Sequence, residues 1–301
     1  VSHNIESSHE NKTVSLVLGS GGARGLAHIG VIHWLEEHGY EIKSIAGSSM
    51  GAVIGGIYAA GKLDVYEEWI RTLNKVDIVR LLDVSWRGKG LVKGDKLFNK
   101  LIDLVGNEHI ENLPISYTAV ASDIKNEKEV WMNSGKLFNA IRASVSIPLF
   151  FTPYNYRGVI LIDGGVLNPI PIAPTFSDET DLTIAVNLGG DVERLEEEEE
   201  ENRPVKQYLT SFASKFSGFT EWFKKKLKTT EKLDWSAYDI ANQAFDAMQS
   251  TIARQKLATY PPDYVVEIPK NVCGTLEFDR AKEVIELGYK KAEETFAVKK
   301  K

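Results

Sequence analysis

Between residues 14 and 190, short apolar runs alternate with stretches whose apolar positions recur every three or four residues. That is the pattern of strands joined by packed helices. The runs at 14–18, 44–47, 117–121, 130–132, 159–162 and 182–186 are short, apolar and bounded by Gly, Asn or Asp. Parallel strands buried on both faces read this way. Helical periodicity follows Gly25 and Ser49 and covers 66–73, 96–105 and 137–144. Near the end, 264–268 predicts one more strand, and 279–296 predicts a helix opened by an acidic N-cap.

Other stretches depart from the pattern. Residues 1–13 are polar, with His, Asn, Ser and Glu where a secretory signal would be continuously apolar, and predict a disordered extension. The uncharged stretch 44–61 is long enough to raise the question of a membrane span. Its five glycines and three serines fit a helix buried inside the protein better. Six consecutive glutamates, Glu196 to Glu201, repel one another and predict a solvated loop.

From Lys206 to Lys228, Leu209, Phe212, Phe216, Phe219, Phe223 and Leu227 fall on one helical stripe, accompanied by six lysines and one glutamate. Such a helix suits the headgroup region of an anionic membrane, with packing on the protein's own core or on a subunit partner as the alternatives. The expected organisation is a disordered extension (1–13), a main α/β domain (14–190 with 260–297), and an acidic loop with an amphipathic helical insertion (191–259).

Composition narrows the class. With 43% hydrophobic and 26% charged residues among 301, the chain reads as a folded globular protein. The net charge of −6 argues against a dedicated nucleic-acid partner. A single cysteine, Cys273, excludes an internal disulfide and thiolate-rich metal sites, so cytoplasmic residence is expected and the residue itself reads as a small buried apolar group. No EF-hand loop or clustered ligand set is present, and no metal or other cofactor is expected.

Three segments carry chemistry. The first, Gly19-Ser20-Gly21-Gly22-Ala23-Arg24-Gly25, lies between a predicted strand and a predicted helix, where backbone N–H groups can converge on an anion. Arg24 stands where a dinucleotide fingerprint needs glycine, and no Gly-Lys-Ser/Thr follows for a P-loop. The second, Gly47-Ser48-Ser49-Met50-Gly51, is a G-x-S-x-G in strand–turn–helix context. It reads either as a nucleophile elbow presenting Ser49 or as a plain N-cap.

A hydrolase triad would place a histidine after the nucleophile and its acid, yet none lies beyond His109. His28 and His33 read as packing or surface residues. The base is therefore sought among carboxylates. Asp163, which ends an apolar strand and precedes Gly164 and Gly165, is the first candidate, and Asp123, at the end of the 117–121 strand, is the fallback. Either could be only a turn residue.

In that order, the glycine loop, the G-x-S-x-G and the Asp-Gly-Gly resemble the patatin-like phospholipases, especially the bacterial and neuropathy-target-esterase-type branch. Arg142-Ala143-Ser144 with Ile147-Pro148 and Phe151-x-Pro153 extends the likeness, which covers 14–190 and reaches 264–296. Ser20 stands where many members carry glycine, and 202–259 matches no family motif.

The resemblance implies a three-layer α/β/α fold with a mostly parallel central sheet. It also implies a serine acyl hydrolase acting on phospholipids or lysophospholipids through a Ser49–Asp163 dyad and an acyl-enzyme. Gly21 and Gly22 would supply the oxyanion hole, with Arg24 adding positive charge or fixing the loop. An acyltransferase using the same dyad and a non-catalytic interaction protein of the same fold are the alternatives. The expected partners are a lipid ester and, through 206–228, a membrane surface, with homo-oligomerisation left open.

Overall fold

The computed structural model describes residues 12–82, 92–148, 150–193 and 237–298. The glutamate run, the stretch from Lys206 to Lys228 and residues 1–11 lie outside the described residues.

Eight strands form one sheet: β1 (Lys12–Leu18), β2 (Tyr40–Ser48), β3 (Ser116–Asp123), β4 (Lys128–Met132), β5 (Tyr154–Tyr156), β6 (Val159–Asp163), β7 (Leu182–Gly190) and β8 (Tyr264–Pro269). The order is β5-β6-β3-β2-β1-β7-β8, with β4 also pairing β3. The run β3-β2-β1-β7-β8 is parallel, while β4, β5 and β6 add antiparallel pairs at the β3 side.

Around the sheet lie α1 (Ala27–Glu37), α2 (Met50–Ala59), α3 (Leu63–Thr72), α4 (Lys75–Leu81), α5 (Asp95–Val105), α6 (Leu137–Ser144), α7 (Ala237–Thr259) and α8 (Ala281–Val298).

The layers follow from the period-two alternation of β1. Leu16 and Leu18 point into the large core shared with α1, α2 and α8, whereas Val17 points into a smaller cluster with Ile170, Ile172, Ala185 and Ala253 of α7. The result is an α/β/α sandwich around a mostly parallel sheet. No helix among the described residues is long and apolar enough to cross a membrane. The uncharged stretch 44–61 resolves into the end of β2 and the buried α2.

Some boundaries differ from the sequence expectation. β1 begins at Lys12, because residues 12 and 13 pair with Tyr40 and Glu41 of β2, and Thr13 also donates its N–H and hydroxyl to the Asp181 carboxylate at 2.8 and 2.7 Å. The stretch 237–259, expected within the insertion, is one helix packed on the sheet. β5 and α4 were not foreseen. α4 carries a local signal in its capping box, where the Asn74 side chain accepts from the N–H groups of Val76 and Asp77 and Asp77 reaches back to the Asn74 N–H.

Candidate active site

Parallel pairing sets the C-terminal ends of β1 and β2 side by side, with Leu18 opposite Gly47. β3 lies next, Ser48 opposite Val120, and β6 then brings Asp163 opposite Ala121. Three segments far apart in sequence thus meet at the C-terminal ends of the central strands, the usual place for a site in an open α/β fold.

β2 ends at Ser48 and α2 starts at Met50, so the chain reverses at Ser49, which takes φ 54° and ψ −123°. That backbone costs a non-glycine residue on the order of 1–3 kcal/mol and persists only where its surroundings hold it. The Ser49 N–H donates to Ser144 Oγ at 3.0 Å, and the Ser144 hydroxyl donates to the Val120 carbonyl at 2.6 Å. Close approach explains Gly51: a β-carbon there would sit 2.0 Å from the Leu18 carbonyl oxygen. Gly47 packs against the Gly51 backbone in the same reversal.

Asp163 completes the pair. Its Oδ2 accepts the Ser49 hydroxyl at 2.6 Å and its Oδ1 accepts the Gly165 N–H at 2.7 Å, while its own N–H donates to the Ser146 carbonyl at 3.0 Å. Ser49 is 2% and Asp163 1% exposed. Burial pushes the Asp163 carboxyl up to about 7, although the hydrogen bonds from Ser49 and Gly165 favour its charged form. Gly164 lies against Val120, and Gly165 against Ser20 and Gln249.

The fallback carboxylate makes a different set of contacts. Asp123 accepts from the Asn126 side-chain amide at 2.7 Å and backbone N–H at 3.1 Å, which closes the β3–β4 turn and holds its carboxyl below the usual range. Neither histidine of α1 touches the dyad. His28 is buried, donates from Nε2 to the Gly19 carbonyl at 2.9 Å, and is pushed by that burial down to about 4, so it is neutral. His33 pairs with Glu67 at 2.5 Å.

The glycine loop presses on the elbow, Gly25 against Met50 and Gly51 against the Leu18 and Gly19 carbonyls. Gly19, Ser20 and Ala23 donate their N–H groups to the carbonyls of Val186, Pro169 and Thr275. No hydrogen bond to another described residue takes up the N–H of Gly21 or Gly22. Arg24 is turned back on the loop: Nε donates to the Gly21 carbonyl at 3.0 Å, Nη1 to the Leu188 carbonyl at 3.3 Å, and Nη2 pairs with Asp246 of α7 at 3.3 Å. Gln249, also of α7, donates to Ser20 Oγ at 3.2 Å. The polar sequence of α7 carried no signal for these contacts, whereas Ser144 sits inside a recognisable segment.

No cluster of three or more His, Cys, Asp or Glu side chains is placed to hold a metal ion among the described residues. Cys273 is buried and unbonded.

The patatin-like phospholipase family model matches residues 16–176. An uncharacterized NTE family protein of Mycobacterium tuberculosis (strain ATCC 25618 / H37Rv) is 40% identical, the match covering 91% of this chain and 89% of that protein. The lysophospholipase NTE1 of Pyricularia oryzae is 28% identical over 93% of this chain, which corresponds to 18% of that much longer protein. The crystal structure of VipD from Legionella pneumophila superposes with a TM-score of 0.45 at 14% identity, covering 96% of this chain and 67% of that one.

Proposed function

Because this chain belongs to the patatin-like phospholipase family, a lipid ester hydrolase family with lysophospholipase relatives, we propose that it hydrolyses fatty-acyl esters of lysophospholipids or phospholipids through Ser49 and Asp163. The observation that carries this reading is the 2.6 Å hydrogen bond from the hydroxyl of a strained, buried serine to a buried carboxylate.

Ser49 Oγ attacks the ester carbonyl as its proton passes to Asp163 Oδ2. The N–H groups of Gly21 and Gly22 receive the oxyanion, in a loop that Arg24 holds in shape. The tetrahedral adduct collapses, Asp163 returns the proton to the departing alcohol, and the acyl group stays on Ser49. Water, giving its proton to Asp163, then attacks the acyl carbonyl; the Ser49 Oγ–acyl bond breaks, the fatty acid leaves, and Asp163 returns the proton to Ser49 Oγ.

A carboxylate near its ordinary pKa would be a weak base at neutral pH, and burial removes that handicap. The base must be ionised to act. kcat/KM is therefore expected to hold steady above about pH 7 and to fall about tenfold per unit below it. A pH–rate profile with a soluble short-chain ester checks this, and an acid limb near pH 4 would contradict a desolvated base.

Two measurements test the reading together. A fluorophosphonate probe should label the protein at Ser49, and a hydrolysis screen over lysophospholipids, phospholipids and neutral esters should show turnover. A folded protein that neither reacts with the probe nor turns over any ester would be a binding protein of this fold.

The same proposal includes membrane contact through Lys206 to Lys228, supported by the charge and aromatic pattern of that stretch. Charge reversal at Lys224, Lys225 and Lys226 is expected to weaken binding to anionic vesicles, in a salt-dependent way, and to leave hydrolysis of a soluble ester unchanged. Vesicle sedimentation of parent and triple mutant decides it; equal binding would assign the stretch to the fold or to a subunit interface.

A further inference from the structure

A dyad hydrogen bond of 2.6 Å between residues 114 positions apart needs something to set its length. The two catalytic backbones are tied to one short piece of chain, the C-terminal end of α6 and the two residues after it. Ser144, fully buried, takes the Ser49 N–H on its hydroxyl oxygen and spends its own proton on Val120. Two residues on, the Ser146 carbonyl takes the Asp163 N–H at 3.0 Å.

The piece is itself pinned. Arg142 Nη1 donates to Ser146 Oγ at 2.7 Å, that hydroxyl donates back to the Arg142 carbonyl at 2.8 Å, and Nη2 reaches the carbonyls of Lys93 and Thr152 at 3.0 and 3.1 Å. The rings of Phe98, Phe151 and Tyr154 enclose the guanidinium at 5.2–5.7 Å.

We propose that Ser144 is a positioning residue for the reaction described above: with the Ser146 carbonyl it forms a clamp that holds the Ser49 backbone in its strained conformation and sets Oγ against Asp163. This rests on Ser49 and Asp163 being the catalytic pair. The geometry has two consequences. Val120 accepts the only proton of the Ser144 hydroxyl, so the oxygen lone pairs are left to face the Ser49 N–H and the group acts purely as an acceptor there. With its own N–H occupied, Ser49 does not contribute that group to an oxyanion hole, which leaves the role to the glycine loop.

Ser144→Ala removes the acceptor and leaves the Ser49 N–H and the Val120 carbonyl buried without it. Relaxation of Ser49 by a fraction of an ångström to an ångström should cost about 100-fold in kcat, with KM nearly unchanged and the fluorophosphonate labelling rate reduced in step. Since the Ser49 hydroxyl favours the ionised form of Asp163, its displacement should also move the acid limb of the pH–rate profile upward. Ser144→Thr keeps the hydroxyl and should recover most of the rate. Ser144→Cys, nearly isosteric with a weak sulfur acceptor, should fall between and serves as the test if the alanine variant does not fold.

All assays are run on the full chain, with the folded fraction measured by thermal melting. Folded Ser144→Ala or Ser144→Cys with parental kcat and an unmoved pH profile would overturn the clamp, as would a loss confined to thermal stability. Failure of the underlying reading looks different: the parent itself would not label at Ser49.

Discussion

Ser49→Ala and Asp163→Asn are each expected to lower kcat for ester hydrolysis on the order of 10⁴-fold or more while the protein stays folded. On the proposed mechanism, removing the Ser49 hydroxyl ends acyl-enzyme formation. Replacing the carboxylate with an amide of the same shape leaves the Ser49 hydroxyl a partner that cannot take its proton. The two losses should not add in the double variant, because both residues serve one step. Asp123→Asn should stay active, since Asp123 closes a turn. Active, folded Ser49→Ala would sink the mechanism, and an inactive, folded Asp123→Asn would move the base.

Asp163→Asn carries a second signature. Burial raises the folded-state pKa of Asp163 to about 7, above the ordinary value of 3.8, so between those values the native state holds a proton that the unfolded chain has released. Its contribution to stability is therefore complete below pH 4 and is lost as pH rises to about 7. At roughly 1.4 kcal/mol per pKa unit the loss is on the order of 4 kcal/mol. Denaturation of parent and Asp163→Asn at pH 4 and pH 8 should show the variant gaining on the parent by that amount. A constant difference would mean that the carboxyl is solvated.

The central strands were legible from apolar runs such as Leu16–Val17–Leu18, buried on both faces, whereas the runs at 130–132 and 159–162, which read the same way, form antiparallel strands with Trp131, Val159 and Ile160 exposed. Legible too was the elbow, since Gly47 and Gly51 are required by backbone contacts that only a missing side chain allows. Asp163 ranks above Asp123 on its strand end and the two glycines after it, a weak signal that the family likeness strengthens. Both end strands, and the difference lies in what accepts and donates around them: Asn126 for one, Ser49 for the other. β5 has three residues and no alternation to read. α7 meets the sheet through Ala253 and Leu257 and the loops through Asp246 and Gln249, so its inner face mixes small, apolar and polar groups and leaves no clear stripe. Its position on the sheet is a tertiary fact without a local cause.

The glycine loop proposed to hold the oxyanion offers the other large effect, in Gly22→Val. Its donors are backbone groups, so no side-chain truncation can delete them, but the loop can be displaced. Gly22 has φ +57°, a left-handed conformation that a β-branched residue strongly disfavours. A β-carbon there would also lie 2.5 Å from the Thr275 carbonyl oxygen, the same oxygen that receives the Ala23 N–H and holds the loop down. Valine must push Thr275 away or rotate the Gly21–Gly22 peptide, and either motion takes these N–H groups off the position proposed for the oxyanion. Losing one such donor typically costs about 10²–10³ in kcat. KM should change far less, because the donors act on the charge that develops in the transition state. None of the hydrogen bonds of Asp163 comes from Gly21 or Gly22, so the acid limb of the pH–rate profile should stay where the parent has it, in contrast to Ser144→Ala. Near-parental kcat in a folded Gly22→Val would place the loop away from the reacting carbonyl.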